Sequence, residues 1–185
     1  MHHLTVKNMN QLVKQLFLSL LGFWVCTVVS AQIVLVNNGK SKSRIVLTKE
    51  TPVNRTAANI LQMFVQKISG KNLPITLGQQ ALGKGDIWID GELSSGVTED
   101  GFSLSTKDGI LRISGSGNGA VYGVVTLLEQ YLGVDYWGEN EYSFNPAKTI
   151  ELPLIDKIDN PAFRYRQTQC YAIRTDSIYK WWNRL

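Results

Sequence analysis

The chain has 185 residues, with 19 Lys and Arg against 15 Asp and Glu, two His, two Cys and a hydrophobic fraction of 44%. Residues 1–31 hold both His, Cys26, Lys7 and Lys14 but no acid; the other 154 carry 17 basic and 15 acidic side chains, a net charge of +2. So even a balance, with no basic block, speaks against a phosphate-backbone partner. The absence of histidine after residue 31 excludes Ser-His and Cys-His catalysis and any His-ligated metal there.

Residues 1–31 read as a secretory signal peptide. A basic start is followed by the apolar run Leu16-Phe-Leu-Ser-Leu-Leu-Gly-Phe-Trp-Val-Cys-Thr-Val-Val29 and the exit Val29-Ser30-Ala31. That run of about 14 residues is shorter than the roughly 20 of a spanning helix, so cleavage near Ala31 is expected rather than stable membrane insertion. The product would be secreted, periplasmic or cell-surface. Cys26 follows Val25 rather than a small residue, which disfavours lipidation. Cys170 is then left without an internal disulfide partner and reads as a small buried residue more readily than as a nucleophile.

The strand Ile33-Val-Leu-Val36 opens the next part, and after Asn37-Asn38-Gly39 the run Arg44-Ile-Val-Leu-Thr48 is expected to pair with it antiparallel. A helix follows: Thr51 can cap it, Pro52 suits its first turn, and Val53, Ala57, Ile60, Leu61, Phe64, Val65 and Ile68 form one stripe ending at Gly70. Leu73-Pro-Ile-Thr76 reads as an edge strand because Pro74 lacks a donor. Asp86-Ile-Trp-Ile-Asp90 reads as a more regular strand. Phe102–Lys107 and Ile110–Ile113 flank Asp108-Gly109, a strong hairpin signal.

Three glycines in five positions follow, Gly115, Gly117 and Gly119, and then a helix with Val121, Val124, Val125, Leu128, Tyr131 and Leu132 at helical spacing, stopping at Gly133. Gly119 and Gly123 share a face and could let this helix approach a sheet closely. Gly115-x-Gly117-x-x-Ala120 after a strand also matches the dinucleotide fingerprint, which needs a parallel βαβ unit and an acid some 20 residues on. The hairpin before it argues instead for a structural turn. No motif calls for a cofactor or a metal.

Beyond Gly133, Tyr136, Trp137, Tyr142 and Phe144 read as a long aromatic loop, and Thr149–Pro153 as a last strand. Asp159-Asn160-Pro161 then punctuates the chain, Ala162–Ile173 reads as extended, and Asp176–Leu185 as a helix. The order implies an α+β fold, a mixed or antiparallel sheet with two helices packed on one face. The expected division is a signal peptide over 1–31, an α+β domain over 32–155, and over 156–185 the first strand and helix of an incomplete TIM barrel. Residues 33–155 are expected to fold, with 162–185 loosely packed in isolation.

Several stretches carry a resemblance: Leu111-Arg-Ile-Ser-Gly115, Gly119-Ala-Val-Tyr-Gly-Val-Val-Thr-Leu-Leu-Glu129, Ile68-Ser-Gly-Lys-Asn-Leu-Pro-Ile75 and Pro161-Ala-Phe163-Arg-Tyr165-Arg166. Together they resemble the N-terminal α+β domain that precedes the barrel in family 20 β-hexosaminidases and family 67 α-glucuronidases. The resemblance implies a non-catalytic domain of a secreted glycoside hydrolase, its catalytic carboxylates on a barrel beyond this chain. Phe163–Arg174 would be the first barrel strand. By resemblance, Arg166 matches the Arg of a Tyr-Arg opening, and Arg174, eight on, matches an Arg that binds substrate hydroxyls; Tyr171 and Thr175 stand where an Asp and a His are usual. Even spacing would keep both arginines on one face of a strand, where ordinary surface ion pairs are the alternative role.

Glycoside cleavage needs two carboxylates flanking the bond, roughly 5 Å apart for retention or 6.5–9.5 Å for inversion. Asp135, Glu139, Glu141 and Asp176 are acids of suitable type, yet nothing in the sequence positions them, so no catalytic residue is assigned. Trp137, Trp181 and Trp182 suit either sugar stacking or packing between domains. A carbohydrate substrate acting through the barrel is the partner implied; a free-standing carbohydrate-binding or interaction module is the alternative.

Overall fold

The computed structural model describes residues 33–78, 81–90, 95–138 and 141–185. The chain divides into two units, Met1–Ser30 and Ala31–Leu185, and every described residue lies in the second. The expected signal peptide falls outside the described residues.

Local signals set the two long helices. In α1 (Pro52–Ser69) the Thr51 hydroxyl accepts from the Asn54 N–H at 3.1 Å, and Gly70 closes the far end at φ 70° with its N–H on the Gln66 carbonyl. Thr51 and Gly70 thus satisfy donors and acceptors that a helix leaves open at its ends. In α2 (Gly119–Leu132) the chain stops at Gly133, also left-handed at φ 62°. The α1 stripe from Ala57 to Ile68 is buried, whereas α2 is buried nearly all round from Gly119 to Leu128.

The helices cover one face of a six-stranded mixed sheet. Its strands are β3 (Ile45–Leu47), β4 (Ile75–Leu77), β5 (Ile87–Asp90), β6 (Phe102–Ser105), β7 (Leu111–Gly115) and β11 (Asp156–Asp159), in the order β11-β6-β7-β5-β3-β4. The strands β4, β3, β5 and β7 run parallel; β6 and β11 are antiparallel additions. Because side chains alternate across a strand, Ile45, Leu47, Ile87, Ile89, Leu104, Leu111 and Ile113 point into the core, with α1 over β3 and β5 and α2 over β6 and β7. This is the α+β arrangement the element order implies. The hairpin is also as expected: Asp108 at φ 59° and Gly109 at φ 71° make the primed turn that suits twisted strands.

Some expected pairings differ. The first strand, β1 (Ile33–Asn37), pairs with β2 (Lys40–Ser41) and with β10 (Ile150–Leu152) in a separate three-stranded sheet, while 45–47 joins the large one. Ile45 instead finds parallel neighbours in Ile75 and Ile87, which complete an apolar face that β1 does not share. The aromatic stretch after α2 is a hairpin of β8 (Asp135–Gly138) and β9 (Glu141–Ser143), not a loop. The large sheet runs past residue 155, since β11 pairs with β6 from Asp156↔Ser105 to Asp159↔Phe102.

The expected barrel strand over Phe163–Arg174 is absent as a strand. Residues 160–171 enter no ladder, and Ala172–Thr175 form a short helix, α3. A strand needs a neighbour to accept its backbone groups, and among the described residues no strand pairs with this segment. The end of the chain is better packed than expected. In α4 (Ser177–Trp182) the Asp176 carboxylate accepts from the Tyr179 N–H and from the Tyr136 hydroxyl. Trp182 is 6% exposed, with ring centroids 5.4 Å from Phe64 and 5.3 Å from Tyr136.

Candidate functional site

The glycine turn is where chain segments far apart in sequence converge. A Cβ on Gly115 would lie 2.4 Å from the Ala120 nitrogen, and one on Gly119 would lie 1.9 Å from the Gly101 carbonyl oxygen. Gly117 adopts φ 55° and packs against Asp100. Gly115 therefore serves close backbone contact within the turn, and Gly117 and Gly119 close contact between the turn and residues 100–101.

That contact decides the nucleotide reading. The space before α2 that a phosphate would need holds the chain's own Asp100, whose Oδ1 accepts from the Asn118 N–H at 2.8 Å. A helix N-terminus favours negative charge, and here an internal carboxylate supplies it. After α2 the chain enters β8, outside the large sheet, so the glycine turn opens no parallel βαβ unit. The turn is structural.

Arg166 completes the cluster. Its Nη2 donates to Asp100 Oδ2 at 3.2 Å, both side chains being about three-quarters buried, and its guanidinium lies 5.3 Å from the centre of the Tyr122 ring. Tyr122, itself buried in α2, has its phenol pushed above the usual tyrosine range, by burial first and then by the Asp100 charge; Arg166 opposes the shift. Nearby, Arg164 pairs with Glu99 at 3.0 Å in open solvent. Asn160 accepts from the Thr98 N–H at 2.9 Å and donates to the Gly96 carbonyl at 2.9 Å. Thr98, Glu99, Asp100, Pro161 and Arg164 line a polar cavity of about 320 Å³.

Arg174 lies elsewhere, exposed on α3. Because 172–175 is helical, the two-residue alternation that would align it with Arg166 is interrupted. Neither arginine lines the second cavity, of about 300 Å³, bounded by Thr168, Cys170, Ile173, Tyr179, Asn183 and Leu185. Cys170 is exposed there, not buried as its residue type suggests.

The acids suggested by the sequence are dispersed in role. Asp135 accepts from the Ser143 hydroxyl, Asp176 caps α4, Glu141 is exposed, and Glu139 lies outside the described residues. Among the described residues no group of three His, Cys, Asp or Glu could hold a metal. Of the tryptophans, Trp182 is core, Trp181 sits 6.3 Å from Tyr122, and Trp137 is 67% exposed. Asp100 was not anticipated from the sequence; Asp100-Gly101 lies 15 residues before the turn it fills, and no local pattern marks the connection.

No family model matches the sequence, and no curated protein matches it. Solved structures do. A Streptomyces plicatus β-hexosaminidase variant in complex with its product GlcNAc matches with a TM-score of 0.52 and 17% identity, over 74% of this chain and 25% of that one. A GH20 exo β-N-acetylglucosaminidase from Vibrio harveyi, in complex with N-acetylglucosamine, matches at 0.46 and 20%, over 73% and 18%. A Flavobacterium johnsoniae chitobiase matches at 0.46 and 17%, over 72% and 19%. The fold is thus one found within a β-hexosaminidase, as the sequence motifs imply, and the chain spans about a quarter of the Streptomyces enzyme's length.

Proposed function

We propose that residues 32–155 are the non-catalytic N-terminal α+β domain of a secreted glycoside hydrolase acting on glycans, with the catalytic carboxylates outside this chain. The observation that carries the reading is the fold shared with the Streptomyces β-hexosaminidase over 74% of the chain and only 25% of that protein. Hexosaminide is the substrate class favoured by that likeness; the glucuronide alternative has only the sequence motifs behind it. Export by residues 1–31, with cleavage near Ala31, belongs to the same proposal, as does a barrel beginning in 156–185. Among the described residues no helix is long and apolar enough to cross a membrane.

The test is to express the coding sequence through and beyond Leu185 and assay chromogenic β-N-acetylhexosaminides and glucuronides beside the 185-residue chain. Turnover by the longer product and none by the shorter is expected. Turnover by the 185-residue chain alone, or an authentic stop after Leu185 together with glycan-array binding by that chain, would overturn the reading in favour of a self-sufficient enzyme or a binding module.

A further inference from the structure

Between β11 and α3 the chain enters no ladder, and its polar contacts gather on one loop of the body. Asn160, Arg164 and Arg166, at even positions, all turn toward the 96–100 loop: Asn160 to Thr98 and Gly96, Arg164 to Glu99, Arg166 to Asp100. Phe163 and Tyr165, at odd positions, turn outward and are 73% and 80% exposed. The segment is thus tied to the body through Asn160, Arg164 and Arg166, while Phe163 and Tyr165 face solvent.

The three attachments differ in strength. Arg164 and Glu99 are largely in water, where an ion pair contributes little. Asn160 fixes the start of the segment just after β11, where the sheet already holds it. Arg166 is the farthest attachment, is largely buried, and meets a carboxylate already committed to the start of α2, while its flat guanidinium lies against Tyr122. Asp100, at φ 59°, is tied to Asn118 by one oxygen and to Arg166 by the other, so one side chain joins the glycine turn to the departing chain.

We propose that Asp100, Arg166 and Tyr122 form a latch that sets the direction in which residues 167–171 leave the α+β body. In this role Arg166 is a positioning residue. The latch requires no ligand, and it stands or falls independently of the accessory-domain reading, because it concerns contacts within this chain alone.

The test is a pulsed-dipolar distance measurement on the 185-residue chain carrying Cys26→Ser, with spin labels on the exposed Cys170 and on an exposed α1 position, Gln66→Cys. A single narrow distance distribution is expected for this parent. Arg166→Gln and Asp100→Asn are each expected to broaden it at least twofold, and Glu99→Gln to leave it narrow. Arg166→Gln leaves the glycine turn intact, so it decides the matter if Asp100→Asn disturbs the turn itself. A parental distribution in Arg166→Gln, or equal broadening by Glu99→Gln, overturns the latch.

Discussion

Charges around Tyr122 give the cluster a spectroscopic handle. Burial and Asp100 hold the phenol protonated, so the fold favours the neutral ring. The raised value makes folding stability intact below the ordinary tyrosine range near ~10 and erodes it as pH climbs through the higher folded-state value. Asp100→Asn removes one raising cause and should bring Tyr122 down; Arg166→Gln removes one of the opposing charges and should raise it further. Alkaline titration followed by NMR of ring-labelled tyrosine distinguishes the two signs. The glycines divide by what faces them. An Ala at Gly119 would drive its Cβ into the Gly101 carbonyl, so the backbone must move, and a loss of about 3 kcal/mol is expected. At Gly123 the nearest atom is the Ile113 Cγ2 at 3.0 Å, a side chain that can yield, and the helix gains back up to about 1 kcal/mol of propensity. Urea midpoints should therefore rank Gly119→Ala well below Gly123→Ala.

Among the elements, α4 offers the sharpest test, because only six residues are helical and Trp182 is the one of them that is buried. Trp182→Ala should cost about 3 kcal/mol and release α4, read as a lower urea midpoint together with new amide exchange over 177–182. Arg184, bonded to Glu129 at 2.6 Å and to Thr126 at 3.1 Å, would not hold the helix alone. The elements best seen in the sequence are those whose instructions are local: Thr51 and Gly70 bound α1, Gly133 ends α2, and Asp108-Gly109 turns the hairpin. Asp176 likewise marks the start of α4. The partner of β1 was illegible because nothing within ten residues of Ile33 names Leu152. The β8–β9 hairpin was hidden by its crowd of aromatics, which read as loop until Tyr136 and Tyr142 were seen to stack with centroids 6.2 Å apart. At the candidate site, the arginine pair was visible as residue types and spacing, but Arg166's real neighbour, Asp100, lies 66 residues away.

For the molecule as a whole, the accessory reading and the latch ask different things of one region. The first predicts hydrolysis only in a longer product, and the second predicts a fixed course for the segment whether or not anything follows. The antiparallel pairing of β1 with β10 has a consequence in time as well as in space. Ile33 meets Leu152 across more than a hundred residues of chain. Closing a flexible loop of that length costs on the order of 4 kcal/mol of chain entropy, whereas the loop joining β6 and β7 is only a few residues long. Non-local pairings of this kind form late and slow a fold down. A chain emerging amino-terminus first would assemble the hairpin and α2 while Ile33–Asn37 still waited, its edge open, for the last strand of its sheet to arrive. The three-stranded sheet is in that sense a clasp that closes late, with only β11 and the helices α3 and α4 following it along the chain.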